Sequence, residues 1–304
     1  MSAATNKRRE IWLKLITLLL PLVYYTLPAR AANDAANLRD KGQSLAQQLN
    51  HNQFQREIYL DSTELEPTLK GEIFAVVDFP FATVNNALND PVQGLANWCD
   101  ILILHLNTKY CRASSSSKGD VLSVNIGKKV EQELVDAYRM QFAYRVAAVS
   151  AEYFQVELNA DSGPLGTKDY RIVLEAVAIK GDRTFMHLSY SYGYGISGRI
   201  ALLTYLATTG SHKVGFTSIN DQSSTEIKYI GGVRGMVERN AMRYYLAIDA
   251  YLSALSSVPE RRLEQRLTNW FNATEQYARQ LHEVERQDYM QMKYAEYRRQ
   301  QTER

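Results

Sequence analysis

The sequence predicts an α+β protein in which one antiparallel sheet precedes long helices. Between residues 142 and 194, apolar segments rich in β-favouring residues follow one another with short turn-like links, and strands joined in this way pair antiparallel. From residue 233 onwards, apolar residues recur at spacings of three and four, which is typical of amphipathic helices. The stretch from 71 to 111 comes before both patterns and is predicted to form a strand, two helices and another strand.

Residues 1–31 are predicted to be a secretory signal peptide. Lys7 to Arg9 form a basic segment, Ile11 to Leu27 is mostly apolar, and Ala29-Arg30-Ala31 fits a small-x-small cleavage site. The alternative is an uncleaved anchor, but a lysine and a proline interrupt the apolar run and leave fewer than the ~20 residues that a membrane span needs. We therefore expect a periplasmic or secreted protein whose mature chain begins at Ala32 and has no transmembrane segment.

The charge balance argues against a nucleic-acid partner. The full sequence holds 35 Lys and Arg against 33 Asp and Glu, but five of the basic residues and one acidic residue lie in the predicted signal peptide. The mature chain would carry 30 basic and 32 acidic residues, which is a net charge of −2. Because no basic domain is predicted, nucleic acid is not an expected partner.

The remaining sequence divides into three parts. Residues 32–57 are polar and favour a short helical segment, and residues 58–258 hold the predicted strands and the longest helix. Residues 259–304 form a predicted C-terminal helical extension that begins at a proline. The apolar stripe of this extension continues to Val284 and is lost at Asp288, so the tail beyond it is predicted to be a solvated, mobile helix.

The stretch that follows the first strands contains the two cysteines of the sequence. A strand leads into an apolar helix, a break at Asn89-Asp90-Pro91, and a second helix that carries Trp98. Cys99 lies near the end of this second helix, and Cys111 lies near the end of the next strand. In an exported protein the two could form a disulfide; the alternative is a pair of buried thiols.

The strands that meet at Lys180-Gly181-Asp182 allow two registers. A two-residue turn sets Arg171 beside Tyr192 and Glu175 beside Leu188, which would make the charged pair buried polar anchors for a ligand. A three-residue turn instead leaves Arg171 and Glu175 on the outer face. We prefer the three-residue turn because it separates apolar from polar side chains. It pairs Ile172 with Tyr190, Leu174 with Leu188, and Ala176 with Met186.

Other motifs indicate neither a cofactor nor a metal. Gly193-Tyr-Gly195-Ile-Ser-Gly198 matches G-x-G-x-x-G, but it follows an antiparallel strand and not a βαβ unit, so we interpret it as a turn from sheet to helix. The five histidines lack metal-ligand spacing, and no G-x-S-x-G elbow occurs. If the protein is an enzyme, the candidate acids or bases are His105, His187 and Glu175.

The order of strand, two helices, antiparallel meander and long helix resembles the helix-grip fold of the START and Bet v 1-like (SRPBCC) superfamily. The resemblance rests on GEIFAVVDFPFATVNNALNDPVQGLANWCDIL, in which a strand ending in Asp78-Phe79-Pro80 leads into a helix whose partner bears Trp98. It spans roughly Ile58 to Leu255 and implies a curved sheet that grips a long helix over an apolar cavity. A helix over 200–207 and a short strand over 213–219 depart from the family pattern.

The resemblance implies an exported carrier or sensor that binds a hydrophobic ligand, such as a lipid, in an internal cavity. One alternative is an interaction protein, whose cavity is filled by its own side chains and whose C-terminal helix docks a protein partner. Another is an enzyme on the same scaffold. The predicted ligand pocket consists of Trp98, Ile172, Leu174, Met186, Leu188, Tyr190, Tyr192, Val237, Tyr244 and Ile248. Candidate polar anchors are Arg171, Glu175 and His105.

Overall fold

The computed structural model describes residues 31–208, 210–219 and 227–302. The predicted signal peptide lies outside these ranges except for its last residue, Ala31, so export stays a prediction. Ala31 belongs to the described part of helix α1, residues 31–44. Within the described ranges, no helix is both long enough and apolar enough to cross a bilayer.

Eight strands of the described residues form one curved sheet. They are β1 (Ile58–Leu65), β2 (Thr68–Val77), β3 (Thr108–Ser116), β4 (Gly119–Ile126), β5 (Tyr138–Val149), β6 (Tyr153–Ser162), β7 (Thr167–Ile179) and β8 (Arg183–Tyr194). Their order in the sheet is β1-β2-β8-β7-β6-β5-β4-β3, and all neighbouring pairs are antiparallel. Because β2 and β3 lie near opposite edges of this sheet, the chain between them has to cross it.

Helices make that crossing and then close the sheet. Besides α1 they are α2 (Ala46–Asn50), α3 (Phe81–Asn89), α4 (Gly94–Leu102), α5 (Ile196–Ala207), α6 (Gly232–Ser253), α7 (Pro259–Glu275), α8 (Ala278–Leu281) and α9 (Arg286–Thr302). Helices α3 and α4 carry the chain from β2 to β3. The α+β prediction is confirmed, including the order of strand, two helices, meander and long helix.

The β7–β8 hairpin has the register that the three-residue turn predicts. Ile172 lies opposite Tyr190, and Leu174 lies opposite Leu188. The apolar side chains of both strands therefore share one face, and this face looks toward α6. Leu174 and Leu188 are almost completely buried there.

Helix α6 packs closely on the sheet at Gly71 of β2. A Cβ atom added at Gly71 would lie 3.1 Å from the Cβ atom of Ala241 and 3.1 Å from the carbonyl oxygen of Val237. Contacts this short leave no room for a side chain, so glycine at this position allows the helix to pack directly on the strand.

Gly71→Val is expected to lower the free energy of unfolding by about 1–3 kcal/mol, because it overpacks the contact between β2 and α6. Urea denaturation measures the change. Gly195→Val is the matched control, since an added Cβ at Gly195 meets no atom within 4 Å. Equal losses for the two variants would contradict this account of Gly71.

The outer face of the sheet carries a second apolar cluster. Leu38, Leu45 and Leu49 of the N-terminal helical segment pack against Phe74 and Phe185, which point away from α6. The N-terminal helices thus cover part of the sheet face that α6 leaves open.

A disulfide between Cys99 and Cys111 joins α4 to β3, with a Cα–Cα distance of 5.2 Å. Both residues are almost completely buried. Beside this link, the indole N–H of Trp98 donates a hydrogen bond of 3.1 Å to the carbonyl oxygen of Leu88, which ties α4 to α3. Helices α3 and α4 are therefore fixed to each other, and α4 is fixed to the sheet.

The segment predicted as a strand over 213–219 does not join the sheet. It forms a short antiparallel pairing with residues 228–230, in which Ser218 bridges Tyr229 and the backbone N–H of Ile230 donates a hydrogen bond of 2.8 Å to the carbonyl oxygen of Thr217. The buried carboxylate of Glu238 on α6 also holds the segment, because it accepts hydrogen bonds from the backbone N–H groups of Phe216 at 2.6 Å and Thr217 at 3.0 Å. Hydropathy does not reveal such a side-chain partner.

The mobile tail predicted after Asp288 is also wrong. Helix α9 packs against β3 and α7. Its buried side includes Tyr289, but it also includes Lys293 at 0% exposure and Glu296 at 3%. The hydrophobic pattern fails because these two charged side chains pair with each other inside the protein, whereas charged residues normally indicate a solvent-facing surface.

Candidate functional site

A cavity of about 270 Å³ lies between the first half of α6, helix α5 and strands β4, β5, β7 and β8. Met140 and Phe142 line it from β5, while Ala201 and Leu202 line it from α5. Leu165, in the turn before β7, also lines the cavity and is 72% exposed. The cavity therefore reaches the surface at this turn.

Tyrosines form one wall of the cavity. The rings of Tyr170 and Tyr192 stack with centroids 5.1 Å apart, and Tyr190 lies between Tyr192 and Tyr244 at 5.6 and 5.2 Å. Burial raises the pKa of Tyr190, Tyr192 and Tyr244, so all three stay neutral at physiological pH. Such a wall offers a broad apolar surface together with hydroxyl groups that can hydrogen-bond a ligand.

His105 is a buried polar group on the cavity lining. Its ring stacks on Tyr244 with centroids 4.9 Å apart, and its Nδ1 accepts a hydrogen bond of 3.2 Å from the backbone N–H of Asn107. Burial and the positive charges of Arg243, Lys293 and other cations lower the pKa of His105 well below its usual value. The imidazole is therefore neutral with its proton on Nε2, and this Nε2 has no hydrogen-bond partner within the described ranges.

Cationic side chains also line the cavity. Lys129, Arg239 and Arg243 all line it. The carboxylate of Glu283 lies 2.6 Å from Nζ of Lys129, 2.8 Å from Arg243 and 3.1 Å from Nζ of Lys213. Burial would raise the pKa of Glu283, but Arg243 and the two lysines lower it to about 2. Glu283 therefore stays ionised and holds three cations in place.

No family model matches the chain, and no curated protein matches it significantly. Among solved structures, the chain is similar to a norcoclaurine synthase point mutant from Thalictrum flavum in complex with a transition-state analogue. The sequence identity is 14% and the TM-score 0.33, and the alignment covers 50% of this chain and 89% of that one. It overlaps with Ara h 8.0201 at 12% identity and a TM-score of 0.33, over 62% of this chain and 99% of that one. For human StAR-related lipid transfer protein 5 the identity is 9% and the TM-score 0.30, over 82% of this chain and 98% of that one.

Sequence identities and TM-scores this low say nothing about a ligand or a reaction. The fold is recognised from the topology itself. A single antiparallel sheet is interrupted by two helices after its second strand and packs around a long helix after its last strand. The chain has the helix-grip fold. The cavity lies between the sheet and the gripped helix α6, which is where the resemblance implied it.

The cavity coincides with only part of the predicted pocket. Of the predicted residues, Tyr190, Tyr192 and Tyr244 line it, and so does the predicted anchor His105. The others do not line it, because they pack against one another and their neighbours in the hydrophobic core. These core residues, all at most 2% exposed, are Trp98, Ile172, Leu174, Met186, Leu188, Val237 and Ile248.

The other two predicted anchors lie on the outer face of the sheet, as the preferred register requires. Arg171 forms an ion pair of 3.1 Å with Glu157, and Glu175 lies 2.8 Å from Nδ1 of His187. Burial would lower the pKa of His187, but its hydrogen bonds to Glu175 and Glu72 raise it. Arg171 and Glu175 are therefore separated from the cavity by the sheet. In the part of the chain that the structure describes, no three His, Cys, Asp or Glu side chains are placed to hold a metal ion.

Sequence reasoning missed part of the lining. Tyr170 lies two residues before Ile172 and thus on the same face of β7, so the preferred register would have identified it. Arg239 and Arg243 are one helical turn apart on α6, but arginines at this spacing usually face solvent. Lys129 follows β4 in an irregular segment and has no periodic signal at all.

Proposed function

We propose that this exported helix-grip protein binds a small hydrophobic molecule in the cavity beside α6 and acts as its carrier or sensor. The observation that carries the proposal is the space of about 270 Å³ that the side chains leave open between the tyrosine wall and α5. Ligand sites in proteins usually measure about 300–1,000 Å³ and are mostly apolar with a few convergent polar groups. This volume suits a compact molecule of a few rings or a short chain better than a two-chain lipid.

The surroundings of the cavity support a binding role. The tyrosine rings and Phe142 supply apolar area, and His105 supplies a buried polar group whose Nε2 has no partner within the described ranges. A buried polar atom without a partner costs about 1–3 kcal/mol, and a ligand atom or a water molecule could offset this cost. The predicted signal peptide and the disulfide support export, because disulfides persist in oxidising compartments.

A blocked cavity is expected to abolish binding of a neutral fluorescent probe, N-phenyl-1-naphthylamine. Ala201→Trp places an indole among the lining residues of α5, and because Ala201 is only half-buried its stability should change by no more than ~1 kcal/mol. Leu203→Trp is the matched control: Leu203 lies on the same helix, is 55% exposed and should leave binding unchanged. Fluorescence titration of delipidated protein gives the affinities.

Two results would contradict the proposed function. The delipidated wild-type protein could show no saturable binding, or Ala201→Trp could bind the probe as tightly as the wild type does. Native mass spectrometry of protein purified from its own host complements the titration, because a carrier is expected to retain a co-purified small molecule whose mass disappears in Ala201→Trp.

A further inference from the structure

The lysine and arginine side chains on the cavity lining are not matched by acidic side chains on the same lining. Lys129, Arg239 and Arg243 line the cavity, whereas no Asp or Glu of the described residues does so. The carboxylate of Glu283 pairs with Lys129, Arg243 and Lys213. These four side chains together carry three positive charges and one negative charge.

Cations act on two pKa values at the cavity in addition to burial. Burial and the neighbouring Arg243 lower the pKa of Lys129 to about 8, although Glu283 acts in the opposite direction. Burial also lowers the pKa of His105, and Arg243, Lys293, Lys129 and Lys109 act in the same direction. Of these four cations, Lys293 and Lys109 share the carboxylate of Glu296, whereas Arg243 and Lys129 line the cavity.

Positive charge in a partly buried site is costly unless an anion compensates for it. The tyrosine wall, in contrast, offers apolar area and no charge. Taken together, the tyrosine wall and the cations would complement a molecule with an apolar body and an acidic group.

We propose that the ligand of this cavity is a small amphipathic anion, whose aromatic or aliphatic body lies against the tyrosine wall and whose acidic head group lies beside Lys129 and Arg243. This inference rests on the proposed function, since it names the chemical class of ligand for the same cavity. The acidic group could be a carboxylate, a sulfonate or a phosphate, because all three are acceptors for charge-assisted hydrogen bonds.

Two probes with the same ring system test the inference. 8-Anilinonaphthalene-1-sulfonate and N-phenyl-1-naphthylamine differ only in the sulfonate, so the ratio of their affinities measures the contribution of the acidic group. The wild-type protein is expected to bind the sulfonate about tenfold more tightly or better, as one ion pair in a partly buried site can supply. Added salt should reduce this ratio.

Lys129→Gln is expected to reduce the affinity for the sulfonate by about tenfold and to leave the affinity for the neutral probe within about twofold. Lys128→Gln is the matched control, because Lys128 is the adjacent residue in the chain, is exposed and does not line the cavity. Raising the pH from 7 to 9 should also reduce the preference for the sulfonate in the wild type, since the pKa of Lys129 is about 8 and its charge is lost above that value.

The outcomes separate the two proposals. Equal affinities of the two probes for the wild type would overturn the inference and leave the proposed function standing. Binding of neither probe would overturn both. Unchanged sulfonate affinity in Lys129→Gln would contradict the assigned place of the head group. If Lys129→Gln does not fold, the ratio of the two probes on the wild type still decides whether the cavity prefers an anion.

Discussion

Replacing Glu296 by Ala is expected to lower the free energy of unfolding by about 3–5 kcal/mol, the usual cost of removing one partner from a buried ion pair. The carboxylate of Glu296 lies 2.9 Å from Nζ of Lys109 and 2.7 Å from Nζ of Lys293. The side chains of both lysines are 0% exposed, and that of Glu296 is 4% exposed. The variant would bury two ammonium groups without their shared carboxylate.

Backbone groups compensate for only part of this loss. Lys293 also donates hydrogen bonds to the carbonyl oxygens of His105 at 2.7 Å and Thr108 at 2.9 Å, and Lys109 donates one to Val130 at 2.9 Å. These carbonyls carry partial charges and can solvate an ammonium group, but they do not neutralise it. Glu285→Ala is the control, because the side chain of Glu285 is 81% exposed, and its loss should be within ~0.5 kcal/mol.

The pH dependence provides a second readout for the same cluster. Burial lowers the pKa of Lys293 to about 8, below its usual value of 10.5. Between these two values the unfolded chain binds more protons than the folded protein, so the stability should rise with pH across this window. In Glu296→Ala the pKa should fall further, so the rise should begin at a lower pH. Urea denaturation at pH 7 and at pH 9 measures both effects. A loss below about 1 kcal/mol at pH 7 would show that the cluster is not a closed ion triad.

The same cluster shows why the end of the chain could not be predicted from its sequence. Lys293, Glu296 and Gln300 occupy one side of α9, and polar residues in such a pattern normally indicate a solvated helix. Their burial depends on Lys109, which lies far away in the sequence and faces them from β3. A pairing between two distant charged residues is a tertiary property, and local periodicity carries no information about it.

The sheet was predictable because its signals are local. Short turns join the meander strands, and the alternation of apolar and polar residues distinguishes the two registers of the β7–β8 hairpin. A shift of one residue would have turned Arg171 and Glu175 toward α6, so the pattern favoured the register that the structure has. Helices α3 and α4 were predictable for the same reason, since Asn89-Asp90-Pro91 marks the break between them.

The cavity could be predicted only in part. The alternation of apolar and polar residues along β8 correctly placed Leu188 and Tyr190 on the face that looks toward α6. It does not show where α6 contacts this face and where a space remains between them. Leu188 lies between Leu174 of β7 and Ile73 of β2, whose buried side chains fill the space beside it. Tyr190, in contrast, lies opposite Gly71, which has no side chain, and lines the cavity. The difference depends on how side-chain volumes fit together in three dimensions.

Replacing Trp270 by Ala is expected to lower the free energy of unfolding by about 3–5 kcal/mol, as for large buried aromatic residues. Trp270 is 1% exposed on α7, and its ring stacks on Tyr289 of α9 with centroids 5.0 Å apart. Its indole N–H also donates a hydrogen bond of 3.2 Å to the carbonyl oxygen of Arg243 on α6. One side chain therefore joins three helices, and its loss would leave a cavity among them.

Trp270→Phe separates packing from hydrogen bonding. Phenylalanine keeps much of the buried ring but cannot donate a hydrogen bond to the carbonyl oxygen of Arg243. We therefore expect the Trp270→Phe variant to retain most of the stability. It should lose about 1 kcal/mol for the hydrogen bond and a smaller amount for packing. Val258→Ala, at a position that is 57% exposed just before α7, is the control and should change the stability by less than ~0.5 kcal/mol. Thermal and urea unfolding give the values. If Trp270→Ala cost no more than Val258→Ala, the C-terminal helices would not be an integral part of the folded unit.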